Sequence, residues 1–193
     1  MVRNFLLLAF VLALAGCGGG QLSTRSLDNA CSIAREKPSY LRAMKRTERR
    51  WGVPVSVQMA TIYQESKFVR NARTPHKYLL GIIPMGRQSS AYGYAQALDG
   101  TWDDYRDEEG AVFAKRNRIS DATDFIGWYM DKTEERNGIS KRDAKNQYLA
   151  YHEGHAGYAR GSHRRKGWLL RVSDSVASRA TMYDEQLRGC GRL

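Results

Sequence analysis

The chain has 193 residues, of which 31 are Lys or Arg and 20 are Asp or Glu, so its formal net charge at pH 7 is +11. This length is sufficient for one domain with its own hydrophobic core. The positive charge favours an anionic partner, which can be a nucleic acid, an anionic lipid or a carboxylate-rich wall polymer. Because the first residues predict export from the cell, we exclude nucleic acid and expect a partner in the cell envelope.

Residues 1–16 have the features of an export signal. Arg3 supplies a positive charge, Phe5–Ala15 is an unbroken apolar run, and the string Leu-Ala-Gly-Cys ends at Cys17. The run is shorter than the roughly 20 residues of a membrane-spanning helix. The string resembles the lipobox of bacterial lipoproteins, which implies acylation of Cys17 and an anchor in the cell envelope. Since residue 18 is Gly and not Asp, we expect the outer membrane, facing the periplasm; the alternative is an ordinary signal peptide cut nearby.

Removal of residues 1–16, whose only charged residue is Arg3, leaves 177 residues and a net charge of +10. We predict a flexible Gly- and Ser-rich tether at 17–25 and one domain at 26–193, acting as a monomer. The two remaining cysteines, Cys31 and Cys190, stand near the two ends of this domain. In an exported protein they predict a disulfide, although two free thiols are the alternative.

Helical periodicity dominates the domain, and no strand pattern persists. Helices are predicted at Ser26–Arg35, Ser39–Arg50, Leu98–Asp107, Ile119–Arg136 with Ser120 as its N-cap, Lys141–His152 and Trp168–Leu187. Between them, residues 71–91 contain glycines, prolines and paired serines that interrupt any period. This stretch predicts a long loop, or a small β-hairpin, along the rim of a cleft. The predicted fold class is mainly α.

A further helix is predicted within Trp51–Phe68, with Pro54 in its first turn. Its residues recur with the spacing of one buried stripe at Val55, Met59, Ile62 and Ser66. Glu65 stands at the far end of this helix, beside the stripe. Partial burial and the negative end of the helix dipole should both raise the pKa of this carboxyl group. A carboxylic acid that is protonated near neutral pH can act as a general acid, whereas the alternative is a solvated glutamate.

Three strings then occur in order: YQESKF at Tyr63–Phe68, GYAQALDGTWDDY at Gly93–Tyr105 and YLAYHEGHAGY at Tyr148–Tyr158. Together they resemble the signatures of SLT-type lytic transglycosylases, which are lysozyme-like enzymes that cleave peptidoglycan. The resemblance covers about Ser39–Arg160. It implies a lysozyme-like, mainly α domain that acts on peptidoglycan glycan strands without a cofactor.

The resemblance also implies roles for individual residues. Glu65 falls on the catalytic acid of the family and Ser66 on the serine beside it. Gly93 and Gln96 fall on the ends of the family's G-L-M-Q string, and Tyr151 on the tyrosine of its A-Y-N-A-G string, which lies against the acid. Further substrate-binding candidates, at positions where the chain departs from these strings, are Tyr94, His152 and Glu153. These departures imply an altered preference among sugar subsites.

The implied reaction cleaves the β-1,4 bond between N-acetylmuramic acid and N-acetylglucosamine, with Glu65 acting first as acid and then as base. Attack by the muramic acid's own C6 hydroxyl gives a 1,6-anhydro product. A hydrolytic muramidase would need a second carboxylate to activate water, and Asp99 and Glu153 are the candidates. A third reading is a wall-binding lipoprotein without catalytic activity.

Two other residue groups bear on the site. Aromatic residues of the second string can stack on sugars or fill the core, and we predict Trp102 in the core and Tyr94 in the cleft. His152, His155 and His163 have spacings that resemble metal ligands, but no cysteine or well-placed carboxylate completes a tetrahedral set. We therefore predict no metal.

Overall fold

Helices make up most of the chain in the computed structural model, which describes residues 22–80 and 82–193. The elements of these ranges are, in order, α1 (Thr24–Leu27), α2 (Ala30–Glu36), α3 (Pro38–Trp51), α4 (Val55–Ser66), β1 (His76–Leu79), β2 (Ile83–Arg87), α5 (Asp99–Glu108), α6 (Ile119–Asn137), α7 (Ala144–Glu153), α8 (His155–Ala159), a 3-10 helix (Ser162–Arg165) and α9 (Gly167–Gly189). The mainly α fold class is confirmed. Most helix bounds differ from the prediction by one to three residues.

The N-terminal segment differs from the prediction in two ways. Leu22 is buried and α1 begins at Thr24, so residues 22–25 belong to the folded domain and not to a tether. The helix predicted at 26–35 is divided, because the Asn29 side chain accepts a 2.9 Å hydrogen bond from the Ser32 backbone and caps the start of α2. The leader and Cys17 lie outside the described residues.

Helix α4 occupies the centre of the domain. The four residues of the predicted stripe are all buried, but burial is not confined to them, because every residue from Val55 to Ile62 is buried. Helices α3, α6 and α9 pack around it, and α9 also packs along α7. The buried Gln58 is accommodated because its Nε2 donates to the carbonyl oxygens of Met44 (3.0 Å) and Val53 (2.8 Å). This packing holds the C-terminal end of α4, and therefore Glu65, at a fixed place.

Helix α6 approaches α3 closely at a glycine. A Cβ atom on Gly127 would lie 2.3 Å from Cδ1 of Trp51 and 2.7 Å from Cγ2 of Thr47, so only glycine permits this spacing. The predicted N-cap of α6 is wrong: Arg118 occupies the cap position, and the Ser120 hydroxyl donates to Oδ1 of Asp121 at 2.8 Å.

Residues 71–91 contain the small hairpin that the sequence allowed. Strands β1 and β2 are antiparallel, with Tyr78 opposite Pro84 and Leu79 opposite Ile83. The hairpin extends away from the helices, and its described side chains are exposed. Within 22–80 and 82–193, no helix has the length and apolar character required to cross a membrane.

The two ends of the domain are joined. Cys31 in α2 and Cys190 after α9 form a disulfide, with their Cα atoms 6.5 Å apart. Gln186 strengthens the same contact, since its side-chain oxygen accepts a 2.8 Å hydrogen bond from the Ala30 backbone and its Nε2 donates to the Asp28 carbonyl at 3.1 Å.

Candidate active site

Glu65 lies in the last turn of α4 and is partly buried. Loss of hydration raises the pKa of its carboxyl group from an ordinary value of 4.5 to about 7. A hydrogen bond from Tyr148 and the positive charge of Lys67 both act in the opposite direction, because they favour the carboxylate. Near neutral pH the carboxyl group is therefore protonated in part of the molecules and ionised in the others, so it can both donate and accept a proton.

Two tyrosines of α7 face this carboxyl group from positions one turn apart. The pKa of the Tyr148 hydroxyl is raised by burial and by the nearby charge of Glu65, and the pKa of Tyr151 is raised for the same two reasons. Both hydroxyls therefore stay protonated and can donate hydrogen bonds. Sequence reasoning selected Tyr151 and missed Tyr148, although the i, i+3 spacing on a predicted helix places both on one face.

Tyr151 is held by contacts on both sides. Its hydroxyl donates to the Ala95 carbonyl at 2.6 Å, and its ring lies 5.0 Å from that of Tyr129 in an edge-to-face arrangement. Tyr151 thus connects α7 to the segment that contains the second sequence string.

The predicted substrate-binding role of Ser66 is not supported by its orientation. The residue is buried, and its hydroxyl lies within donating distance of the carbonyl oxygens of Ile62 (3.1 Å) and Tyr94 (2.8 Å). Ser66 therefore faces the protein interior, where it ties the end of α4 to residues 93–97.

Gly93 has a conformational role rather than a contact role. It adopts a φ of +79°, and a Cβ atom there would lie 2.1 Å from the carbonyl oxygen of Arg116. Its backbone N–H donates to Ala72 at 3.0 Å, and the next residue, Tyr94, donates to the same Arg116 oxygen at 3.2 Å. Segment 93–97 is thus hydrogen-bonded to the loop that contains Ala72 and to the loop that contains Arg116.

Gln96 is partly exposed and adopts a φ of +48°, which is uncommon for a residue with a side chain. Its Nε2 donates to the carbonyl oxygens of Ala72 (3.0 Å) and Gly93 (2.8 Å). These bonds hold its amide at the edge of a cleft that Tyr151 also lines.

The two aromatic predictions have different outcomes. Trp102 is in the core, with its ring 5.3 Å from those of Tyr105 and Phe125. Tyr94 was expected in the cleft but is 4 % exposed, and its hydroxyl lies 2.8 Å from that of Tyr40. The reason is the turn at Gly93 and Gln96, which directs Tyr94 into the core beneath the segment.

A cleft of about 230 Å³ lies beside Tyr151. Its lining includes Gln96, Thr101, Tyr129, Tyr151, His152 and Glu153. The structure thus brings four of the predicted site residues to one cleft. Glu65 does not line this cleft, but its charge acts on Tyr151, which does. A larger cavity of about 520 Å³, between α3 and the loop that precedes α6, contains none of the predicted site residues.

Glu153 already forms an ion pair and a hydrogen bond within the protein. Its side chain is 3 % exposed, Nζ of Lys166 lies 2.7 Å from Oε1, and the Ser162 hydroxyl donates to Oε2. Burial opposes ionisation, but these partners and His152 lower the pKa of Glu153 to about 2. Asp99, the other candidate for a second carboxylate, is 63 % exposed and pairs with Arg116 at 2.7 Å.

The three histidines make separate contacts. The exposed His152 lies 3.0 Å from Glu153, His155 stacks on Tyr129 at 4.3 Å, and His163 is buried against Tyr158 at 4.7 Å. In the part of the chain that the structure describes, no three His, Cys, Asp or Glu side chains cluster as metal ligands would.

Two cations beside the site were missed by sequence reasoning. Nζ of Lys67 lies 3.6 Å and Cζ of Arg179 lies 3.4 Å from the centre of the Tyr63 ring, and Arg179 also pairs with Asp28 at 2.9 Å. The position of Lys67, two residues after Glu65, was the signal in the sequence that could have indicated a cation near the acid. Arg179 is distant in sequence from Glu65, so the sequence gave no such signal for it.

The family model for the transglycosylase SLT domain matches residues 5–190, which include all three sequence strings. Searches of curated proteins and of solved structures found no match.

Proposed function

The chain belongs to the transglycosylase SLT-domain family, and we propose that it is a peptidoglycan lytic transglycosylase in which Glu65 is the single acid and base. The observation that carries this proposal is the position of Glu65, partly buried in the last turn of α4 of a chain of this family, where loss of hydration raises its pKa to about 7. An ordinary surface glutamate is ionised at neutral pH and has no proton to donate.

In the proposed reaction, Glu65 donates its proton to the oxygen that joins C1 of N-acetylmuramic acid to C4 of N-acetylglucosamine. The C1–O bond breaks, and the acetamido oxygen of the same muramic acid supports the positive charge at C1. The Glu65 carboxylate then removes the proton from the C6 hydroxyl of that sugar, whose oxygen bonds to C1. The product is a 1,6-anhydro sugar, the acid is regenerated, and no water is consumed.

The surroundings of Glu65 suit both halves of this cycle. Burial favours the protonated acid that the first step requires, whereas the Tyr148 hydrogen bond and the Lys67 charge favour the carboxylate that the second step requires. A single residue with a pKa near the working pH can therefore serve in turn as donor and acceptor. In this proposal Gln96 and Tyr151 line the sugar-binding cleft.

A hydrolytic muramidase is the second candidate, and the two possible water-activating carboxylates argue against it. Glu153 is bound to Lys166 and Ser162, and its pKa of about 2 makes it a weak base. Asp99 is exposed and paired with Arg116. An intramolecular nucleophile requires neither residue.

Digestion of purified sacculi tests the reaction. We expect soluble muropeptides with 1,6-anhydro ends, which mass spectrometry distinguishes from hydrolytic ends because they are lighter by one water. Glu65→Gln should abolish release while the circular dichroism spectrum stays unchanged, and Asp99→Asn should leave the anhydro product unchanged. Hydrolytic ends would select the muramidase, and binding of glycan strands without any soluble product would select a non-catalytic wall protein.

We also propose that the chain is a monomeric lipoprotein of the outer membrane, released from its signal at residue 16 and acylated at Cys17. The support is the Leu-Ala-Gly-Cys string behind the apolar run. Labelling of cells with radioactive palmitate should mark the wild-type protein and the Cys31→Ser variant but not Cys17→Ser. Equal labelling of all three would contradict the anchor.

A further inference from the structure

Apolar side chains are exposed along the β1–β2 hairpin. Leu80 and Ile82 expose 84 % and 77 % of their surface, and Tyr78, Ile83 and Met85 expose 49–61 %. Single exposed apolar residues are ordinary on a protein surface, but a contiguous group of this kind indicates a contact surface. We call these five residues the hairpin tip.

The hairpin tip is apolar on both faces of the ribbon. Tyr78 is paired with Pro84, the residue between Ile83 and Met85. Because successive residues of a strand point to opposite faces, Ile83 and Met85 lie on the face opposite to Tyr78. A folded partner protein would cover one face and leave the other exposed to water, whereas a fluid apolar phase surrounds both.

Positive charge surrounds the base of the same hairpin. From residue 66 to residue 98 the sequence contains no Asp or Glu, but it contains five Lys or Arg residues. Three of these, Arg73, Lys77 and Arg87, are exposed and lie on or just before the two strands. An apolar tip with a cationic base is complementary to a phospholipid surface with anionic headgroups.

We propose that the hairpin tip inserts into the interfacial region of an anionic phospholipid bilayer, with Arg73, Lys77 and Arg87 against the headgroups. The depth is limited, because a two-stranded ribbon has unpaired backbone groups along its outer edges, and these require water. A strand rises about 3.3 Å per residue, so the chain from Tyr78 to the turn reaches roughly 7–10 Å. This length matches the roughly 5–10 Å to which interfacial segments penetrate.

This contact would have a consequence for the enzyme. The hairpin is followed within a few residues by segment 93–97, which packs against Ser66 and Tyr151. A bound hairpin would therefore hold the cleft at a set height above the bilayer. The proposal does not depend on the reaction at Glu65, since no hairpin residue belongs to the site.

A local probe tests the insertion. Full-length protein with Cys17→Ser, which cannot be acylated, would carry Ile82→Cys labelled with the fluorophore NBD. With phosphatidylglycerol vesicles we expect a blue shift, a several-fold rise in emission, and quenching by lipids with a quencher near the headgroup. The matched control is Phe113→Cys, which is 87 % exposed on another loop and should not respond. If the chain sediments with the vesicles but the emission of the label at position 82 does not change, the proposal is overturned.

Hairpin variants separate the apolar contribution from the ionic one. In the Cys17→Ser chain, Leu80→Ser with Ile83→Ser should lower the response of the label at position 82 at least tenfold at equal lipid. Lys77→Gln with Arg87→Gln should abolish the preference for phosphatidylglycerol over phosphatidylcholine. Binding of this variant should also no longer weaken in roughly 0.5 M salt, a concentration at which surface charges are screened. A label that responds to purified glycan strands and not to vesicles would instead assign the hairpin to the substrate.

Discussion

At the scale of single residues, Glu65 should destabilise the folded protein whenever it is ionised. Its folded pKa of about 7 lies above the ordinary 4.5, so between these values the folded state holds a proton that the unfolded state has lost. The free energy of unfolding must therefore fall as the pH rises through this window. The loss is on the order of 3 kcal/mol, because the window from 4.5 to about 7 costs about 1.4 kcal/mol per pH unit.

Glu65→Gln removes this loss because glutamine does not ionise. We expect the stability difference between the variant and the wild type to shift in favour of the variant by about 3 kcal/mol from pH 4 to pH 8. Urea unfolding at both pH values measures this. Glu185→Gln, on the exposed face of α9, is the control and should change the free energy of unfolding by less than about 0.5 kcal/mol. Parallel curves for Glu65→Gln and wild type would contradict the raised pKa.

The charge of Lys67 should set the upper pH limit of activity. Because Lys67 lowers the pKa of Glu65, its replacement by Met should raise that pKa further and keep the acid protonated at higher pH. We expect the ratio of kcat/KM at pH 8 to that at pH 6 to rise roughly two- to five-fold. The substrate is a soluble peptidoglycan tetrasaccharide.

Lys67→Arg is the matched control for this change. Both variants must adopt the positive φ of 51° found at this position, so backbone strain is equal in the two proteins. Arginine keeps the charge and should keep the wild-type profile. A profile displaced equally in both variants would show that packing at this position, and not charge, controls the acid.

At the scale of elements, the contact between α3 and α6 depends on Gly127. Alanine at this position would place a methyl group 2.3 Å from Trp51, and the helices would have to separate. We expect a loss of about 1–3 kcal/mol in the free energy of unfolding, measured by urea denaturation.

Gly100→Ala is the control, because a Cβ atom at that site in α5 has no neighbour within 4 Å. Helix propensity alone should then stabilise the protein by up to about 1 kcal/mol. Similar losses in both variants would mean that the α3–α6 approach is not constrained by the glycine.

The sequence predicted the helices well because helical periodicity and capping residues are local signals. It could not show that α4 is buried on all sides, since that depends on helices that are distant along the chain. Nor could it orient Tyr94, which faces inward between the positive φ angles at Gly93 and Gln96. For Ser66, helical periodicity predicted the buried position correctly and the motif match did not. A glycine at position 93 indicates that a positive φ angle is possible there, but a glutamine at position 96 does not indicate one. Motif matching therefore found the right segments and assigned some side chains to the wrong side.

At the scale of the whole molecule, the disulfide between Cys31 and Cys190 closes nearly the entire folded domain, because the bonded positions are separated by 159 in the sequence. A crosslink of this kind stabilises mainly by restricting the unfolded chain, and removal of such a bond typically costs about 2–5 kcal/mol. Neither cysteine lies near the cleft, so we expect reduction to lower the unfolding midpoint without changing kcat/KM at 25 °C.

The measurement is thermal unfolding with and without a thiol reductant, after thiol titration has verified complete reduction. The double variant Cys31→Ser with Cys190→Ser should unfold at the midpoint of the reduced wild type and should not respond to the reductant. A fully reduced wild type that keeps its midpoint would mean that the hydrogen bonds of Gln186 to Ala30 and Asp28 hold the two ends together on their own. In that case Gln186→Ala, and not reduction, should release α2 from α9 and lower the midpoint.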